Sequence, residues 1–75
     1  MIVVLHLDSE QTFTVANVID VVECLTLRWP RTAGPHYDAA QRCCLAVLDG
    51  KRLEHEALSA FLLAAEEAEV PVLQH

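Results

Sequence analysis

The sequence predicts an α+β domain: an N-terminal β-hairpin packed on three α-helices, in the order ββααα. Three observations point to it. Val, Ile, Leu and Phe crowd two short runs within residues 2–15. Apolar residues then recur at spacings of three and four in three later stretches, the period of a helix with one buried face. Proline and glycine separate those stretches, at Pro30, Gly34, Pro35, Gly50 and Pro71.

Residues 2–7 read as a strand. Asp8-Ser9-Glu10-Gln11 is polar and turn-like, and Thr12-Phe13-Thr14-Val15 alternates as a half-buried strand should. A two- or four-residue loop would set Leu7 against Thr12 and mix apolar with polar residues. A three-residue loop, or a bulge, is expected to put Leu7 opposite Phe13 and Leu5 opposite Val15. Val3, Leu5, Leu7, Phe13 and Val15 then share the buried face. Ile2, Val4, His6, Thr12 and Thr14 fall on the other, which is half apolar and has no evident cover.

Asn17 is placed to N-cap a helix starting at Val18. Val18, Val21, Val22, Leu25 and Trp29 form its stripe, and Pro30 ends it, because a residue before proline is pushed out of the helical region. Trp29 to Pro35 is the clearest loop. Pro35 suits the first position of a second helix, running to about Leu48 with Tyr37, Ala40, Cys44, Val47 and Leu48 inward. Gly50 is its expected left-handed cap. A third helix is expected from Leu53 to Glu69, with Leu53, Ala57, Ala60, Phe61, Ala64 and Ala68 inward and no evident N-cap side chain. Pro71 stops it, and residues 70–73 are a candidate edge strand beside the hairpin.

The 75 residues make one domain, 1–75, with no room for a second. At 53% apolar and 21% charged, the composition is globular rather than disordered. The longest apolar run, Ala60 to Ala65, is far too short to span a bilayer. Met1 leads straight into Ile2-Val3-Val4-Leu5, without the basic start and long apolar stretch of a secretion signal. A cytoplasmic, acidic protein is therefore expected.

Eleven acids against five bases give a formal charge of −6, which argues against nucleic acid and anionic membranes as partners. Arg28/Arg31 and Lys51/Arg52 fall near expected helix C-termini, where the dipole favours them. Cys24, Cys43 and Cys44 are odd in number and form no C-x-x-C, so neither a disulfide framework nor a zinc or redox motif is supported. Neighbouring helix positions point about 100° apart, so Cys43 and Cys44 are expected in different environments. His6, His36, His55 and His75 have no pair at ligand spacing. Ser9 and Ser59 lie in no nucleophile motif, and two glycines cannot build a phosphate loop. No catalytic residue, metal or cofactor is assigned, and enzyme activity is not expected.

Two candidate sites remain. His36 and Tyr37 open the second helix beside the Gly34-Pro35 turn, where backbone donors favour an anion. Arg31 and Arg42 are near enough in sequence to assist. The simpler expectation is that Tyr37 buries its ring and bonds its hydroxyl locally. The second candidate is a surface. With the stripes so placed, Leu27, Leu45 and Leu62 or Leu63 point outward, and the outer hairpin face adds Ile2 and Val4. Several such residues on a chain this short suggest a partner or self-association surface.

Trp29-Pro30, then Gly34-Pro35-x-Tyr37, then Ala40, Cys44, Leu48 and Gly50, then Ala60-Phe61 with Ala64-Ala65 and Ala68, form a pattern. Over about residues 12–70 it resembles a family of short bacterial proteins, mostly alphaproteobacterial, grouped as a domain of unknown function. In that family an arginine often stands in the run before the phenylalanine; Leu58 stands there in this chain. The resemblance implies a single-domain protein of the bacterial cytoplasm and no particular activity. On physical grounds these residues are structural. Ala40, Cys44 and Leu48 make one ridge, whose small members let a helix or the Trp29 ring approach closely. The expected function is a protein–protein interaction or regulatory module, with an unknown protein or a second copy as partner. The alternative is a small-ligand or anion-binding domain using the Gly34–Tyr37 turn.

Overall fold

Val3, Val4 and Leu5 fit a pleated, half-buried surface, and the chain starts as a strand. A computed structural model describes residues 2–7, 11–30 and 33–74. Strand β1 spans Val3–His6, β2 Thr12–Val15 and β3 Val72–Gln74. They form one antiparallel sheet in the order β2-β1-β3, so the C-terminal edge strand lies against β1. Pro71, which has no N–H to donate, accepts from the His6 N–H at 2.9 Å.

The register corrects the expected one. Val3 pairs with Val15 and Leu5 with Phe13, rather than Leu5 with Val15 and Leu7 with Phe13. Leu7 instead donates its N–H to the Gln11 carbonyl at 3.1 Å, a tighter closure. A shift of two residues leaves every side chain on its own face. Val3, Leu5 and Val15 are buried, Leu7 and Phe13 pack partly against the core, and Ile2, Thr12 and Thr14 are exposed. Val4 is half-buried, so the outer face is partly covered there. Asp8, Ser9, Glu10 and Arg31 lie outside the described residues.

Helix α1, Val18–Glu23, runs directly into a π-helical turn, Cys24–Arg28. The Asn17 Oδ1 accepts from the Asp20 N–H at 3.0 Å, and the Asp20 Oδ2 accepts from the Ala16 N–H at 2.9 Å. The first bond caps the start as expected, and the second takes up the N–H of the residue before the cap. The single period expected through Trp29 breaks at Cys24. A π turn closes i→i+5 and is wider than an α turn, and Cys24 and Leu25 are both fully buried. Val22, expected in the stripe, is only half-buried.

Helix α2 spans Pro35–Leu48 and α3 spans Glu54–Glu67. Tyr37, Ala40 and Cys44 are buried on α2, and Ala57, Phe61, Ala64 and Ala65 on α3. Two expected core leucines are not in the core: Leu48 is 51% and Leu53 64% exposed. Leu48 is the last residue of α2 and Leu53 precedes α3, so both stand at the α2–α3 connection. Helix α3 ends two residues early, at Glu67. Its start is capped by the Glu56 side chain, whose Oε2 accepts from the Leu53 N–H at 2.9 Å. This bond, and next the Arg52 guanidinium, hold the Glu56 carboxyl below the usual range.

Both long helices end the same way. Gly50 donates to the Val47 carbonyl and Lys51 to Ala46, with Gly50 at φ +78°. Glu69 donates to Glu66 and Val70 to Ala65, with Glu69 at φ +57°. Each is a paired 5→2 and 6→1 closure around a left-handed residue. Glycine holds that conformation freely; Glu69 does not. Glu69→Gly is expected to stabilise the fold by about 1 kcal/mol, the left-handed strain relieved less the flexibility gained by the unfolded chain. Thermal denaturation checks it, and a lower melting temperature refutes it.

The basic residues also depart from expectation. No base lies in the last turn of α2; Lys51 pairs with Asp49 at 3.3 Å and Arg52 with Glu56 at 3.2 Å. Arg28 does close the π turn, with its guanidinium 5.8 Å from the Phe13 ring centre. Helix α1 packs against α2, α3 and β2, and α2 lies along α3. Phe61 is fully buried and holds the Trp29 ring at 5.4 Å between centres, tilted by 46°.

Candidate functional site

The turn at Gly34–Tyr37 is built from three local choices. Gly34 adopts φ +133° and ψ +155°, a region open essentially to glycine. Pro35 takes the first helical position, where no N–H is missed. His36 and Tyr37 then present free backbone donors, and an acid from the far end of α3 takes both. The His36 N–H donates to the Glu67 Oε2 at 3.1 Å and the Tyr37 N–H to Oε1 at 3.2 Å. An external anion would have to displace this carboxylate. Glu54, at the other end of α3, accepts from the Val18 N–H at 3.2 Å. Helix α3 thus seats the positive ends of both other helices with its own acids.

Of the residues proposed for that turn, His36 is exposed, Tyr37 is buried, and Arg42 points elsewhere, into a groove described below. The Tyr37 hydroxyl reaches beyond its own turn. It donates to the Leu25 carbonyl at 3.0 Å and accepts from the Gln41 Nε2 at 2.9 Å. The i+5 donor that a π turn would offer Leu25 is residue 30, a proline without an N–H. Tyr37 therefore ties the π turn to α2. Tyr37→Phe is expected to lower stability by about 1–2 kcal/mol, because the buried carbonyl loses this donor. Urea denaturation of the two proteins measures it, and an unchanged midpoint overturns it.

A concavity opens between α2 and α3 and has a volume of about 820 Å³. Ala39, Cys43 and Ala46 line it from α2, at helical spacings of four and three, and Ser59 and Ala60 from α3. Arg42, Arg52, His55 and Glu56 supply its polar side. A smaller hollow continues from Ala46 to Leu45, Leu48, Asp49 and Lys51. The small residues on this second face of α2 were the sequence signal for the groove. Alanine marks a helix without marking a face, so this signal is weak.

The three thiols are free. Cys24 and Cys44 are fully buried, and burial pushes their thiols up to about 12 and about 11. Cys43 is half-buried and lines the groove. At pH 8, iodoacetamide is expected to modify Cys43 quickly and the other two thiols only after unfolding. Mass spectrometry counts the adducts; rapid loss of all three refutes the assignment. The raised thiols also set a sign for alkaline pH. They contribute fully below the unfolded value of about 8.5, and that contribution is lost as pH rises towards 12. The melting temperature is expected to fall across that window.

The surface leucines are placed as follows. Leu27 is 73% and Leu45 62% exposed, and Ile2 and Leu63 are exposed as well. Leu62 is half-buried. Ile19, Leu48, Leu53 and Leu73 join the exposed set and were not foreseen. Among the described residues no group of three or more His, Cys, Asp or Glu is placed to hold a metal ion. No helix among them is long and apolar enough to cross a membrane.

No curated protein and no solved structure matches the chain. One family model does, over residues 2–72, and its description is "Protein of unknown function (DUF982)". The match takes in the hairpin, all three helices and the start of β3, and on it the chain belongs to the DUF982 family.

Proposed function

We propose that the protein is a small interaction module that binds another protein, with a second copy of the chain among the candidate partners. One observation carries this: among the described residues of this short chain, eight large apolar side chains stand exposed. Isolated exposed leucines are ordinary on any surface. Here Leu45, Leu48 and Leu53 follow one another through the α2–α3 connection, where apolar surface gains from being covered. No catalytic step is assigned. A bacterial cytoplasmic setting accompanies the proposal, in keeping with the alphaproteobacterial resemblance and with three free thiols, a state a reducing compartment preserves.

Site-specific photo-crosslinking in the producing cell tests it. A benzophenone amino acid is placed in turn at Leu27, Leu45, Leu63 and, as a control, Thr14. Discrete higher-mass adducts at one or more leucine positions, absent at Thr14, are expected. Mass spectrometry then distinguishes a second copy from another protein. Monomer alone at every leucine position overturns the proposal.

A further inference from the structure

We propose that the α2–α3 groove receives an acidic peptide segment of a partner protein. Its carboxylates meet Arg42 and Arg52, and its small apolar side chains rest on Ala39, Cys43 and Ala46. This rests on the interaction role above and says where and with what chemistry the partner docks.

Charge is the first argument. The chain carries −6 overall, yet two of its five Lys/Arg residues line this one groove, with His55 beside them. Glu56 is the single carboxylate there, and both its oxygens are engaged. Oε1 accepts from the Arg52 Nη1 at 3.2 Å and Oε2 from the Leu53 N–H at 2.9 Å. Arg42 makes no ion pair among the described residues. An acidic segment is repelled by most of this molecule and attracted here, which supplies both orientation and specificity. A basic or neutral segment gains neither.

Shape is the second. From Ala39 to Ala46 the groove follows roughly 10 Å of helix, about two turns. Alanine, cysteine and serine along it let a peptide backbone approach closely. The groove is open along its length, so a small molecule would stay largely wet where a peptide can run past the end. There it meets the adjoining hollow, which shares Ala46 and is edged by Leu45 and Leu48. Charged contacts in the groove and an apolar anchor beyond it make a paired recognition surface.

The test selects 12-residue peptides from a random displayed library on the whole wild-type protein. Sequences rich in Asp and Glu beside small apolar residues are expected. An enriched peptide, synthesised with a fluorophore, is then titrated by anisotropy. Arg42→Glu is expected to weaken it by about tenfold or more, the loss of a charge-assisted contact, and Arg42→Lys by clearly less. Bound peptide is expected to slow Cys43 alkylation, a readout local to the groove. Arg42 is exposed, so circular dichroism of both variants should match wild type. A selected pool without acidic enrichment, equal binding to Arg42→Glu, or an unchanged Cys43 rate overturns the proposal. So does a homodimer that dissociates on charge reversal, since the occupant is then a second copy. Crosslinked adducts at the leucines with no acidic selection would remove the groove and leave the interaction role standing.

Discussion

Trp29→Ala is expected to lower stability by about 3–5 kcal/mol, through a cavity the surroundings cannot close. The ring is 7% exposed and tilted onto Phe61, itself fully buried. It stands where the π turn ends, just before Pro30. A domain this size has about 4–11 kcal/mol in all, by the usual 0.05–0.15 per residue. The loss is thus a large share of the total, a fall of roughly 12–40 °C in melting temperature at 4–8 °C per kcal/mol. Thermal unfolding followed by circular dichroism measures it, and an unchanged melting temperature sinks it. The Trp29 Nε1 is buried and finds no hydrogen-bond partner among the described residues. Trp29→Phe keeps a ring on Phe61 and removes that unpaired donor. It is therefore expected to cost about 1–2 kcal/mol, well below the alanine change.

Gly34→Ala is the second large effect, about 3 kcal/mol, and it has two separable parts. Backbone strain is one, since Gly34 sits at φ +133°. The other is steric: an added Cβ would land on the Glu67 carboxylate, with Oε1 and Cδ its nearest atoms. That carboxylate holds the N–H groups of His36 and Tyr37, so moving it uncaps α2. A double-mutant cycle with Glu67→Ala separates the parts. If the clash matters, Gly34→Ala should cost at least ~1 kcal/mol less in the Glu67→Ala background than in wild type. Additive losses would leave backbone strain as the whole cause.

The elements of local origin were legible in the sequence. Asn17 caps α1, Pro35 opens α2, Gly50 closes it, and a short edge strand follows Pro71. Each depends on the conformational limits of one residue type, which hold in any fold. Face assignment in the hairpin was legible as well, because alternation depends only on parity. The register itself was not: it depends on how the chain closes between Leu7 and Gln11, and two registers of equal parity bury the same residues. The π turn was hidden for a similar reason. Its widening reflects a shared demand of the core at Cys24 and Leu25 and of a carbonyl answered by Tyr37. Leu48 and Leu53 were misassigned because periodicity shows that a helix has an apolar side, but not where its neighbour ends.

The candidate sites divide along the same line. The sequence pointed to the Gly34–Tyr37 turn as an anion seat. In the structure the His36 and Tyr37 N–H groups go to the Glu67 carboxylate, some thirty residues away, and no local pattern announces that pairing. The groove was unseen because its small residues are unremarkable until α3 lies beside them. By itself, then, the sequence determined the α+β class, the start of α1, both ends of α2 and a marked apolar excess, all consequences of local sterics and burial. Only the tertiary structure decided which acids seat which helix ends and which leucines remain uncovered. It also decided where two of the five bases gather on an acidic molecule. Those outcomes depend on long-range packing, in which residues far apart in the chain compete for the same few partners.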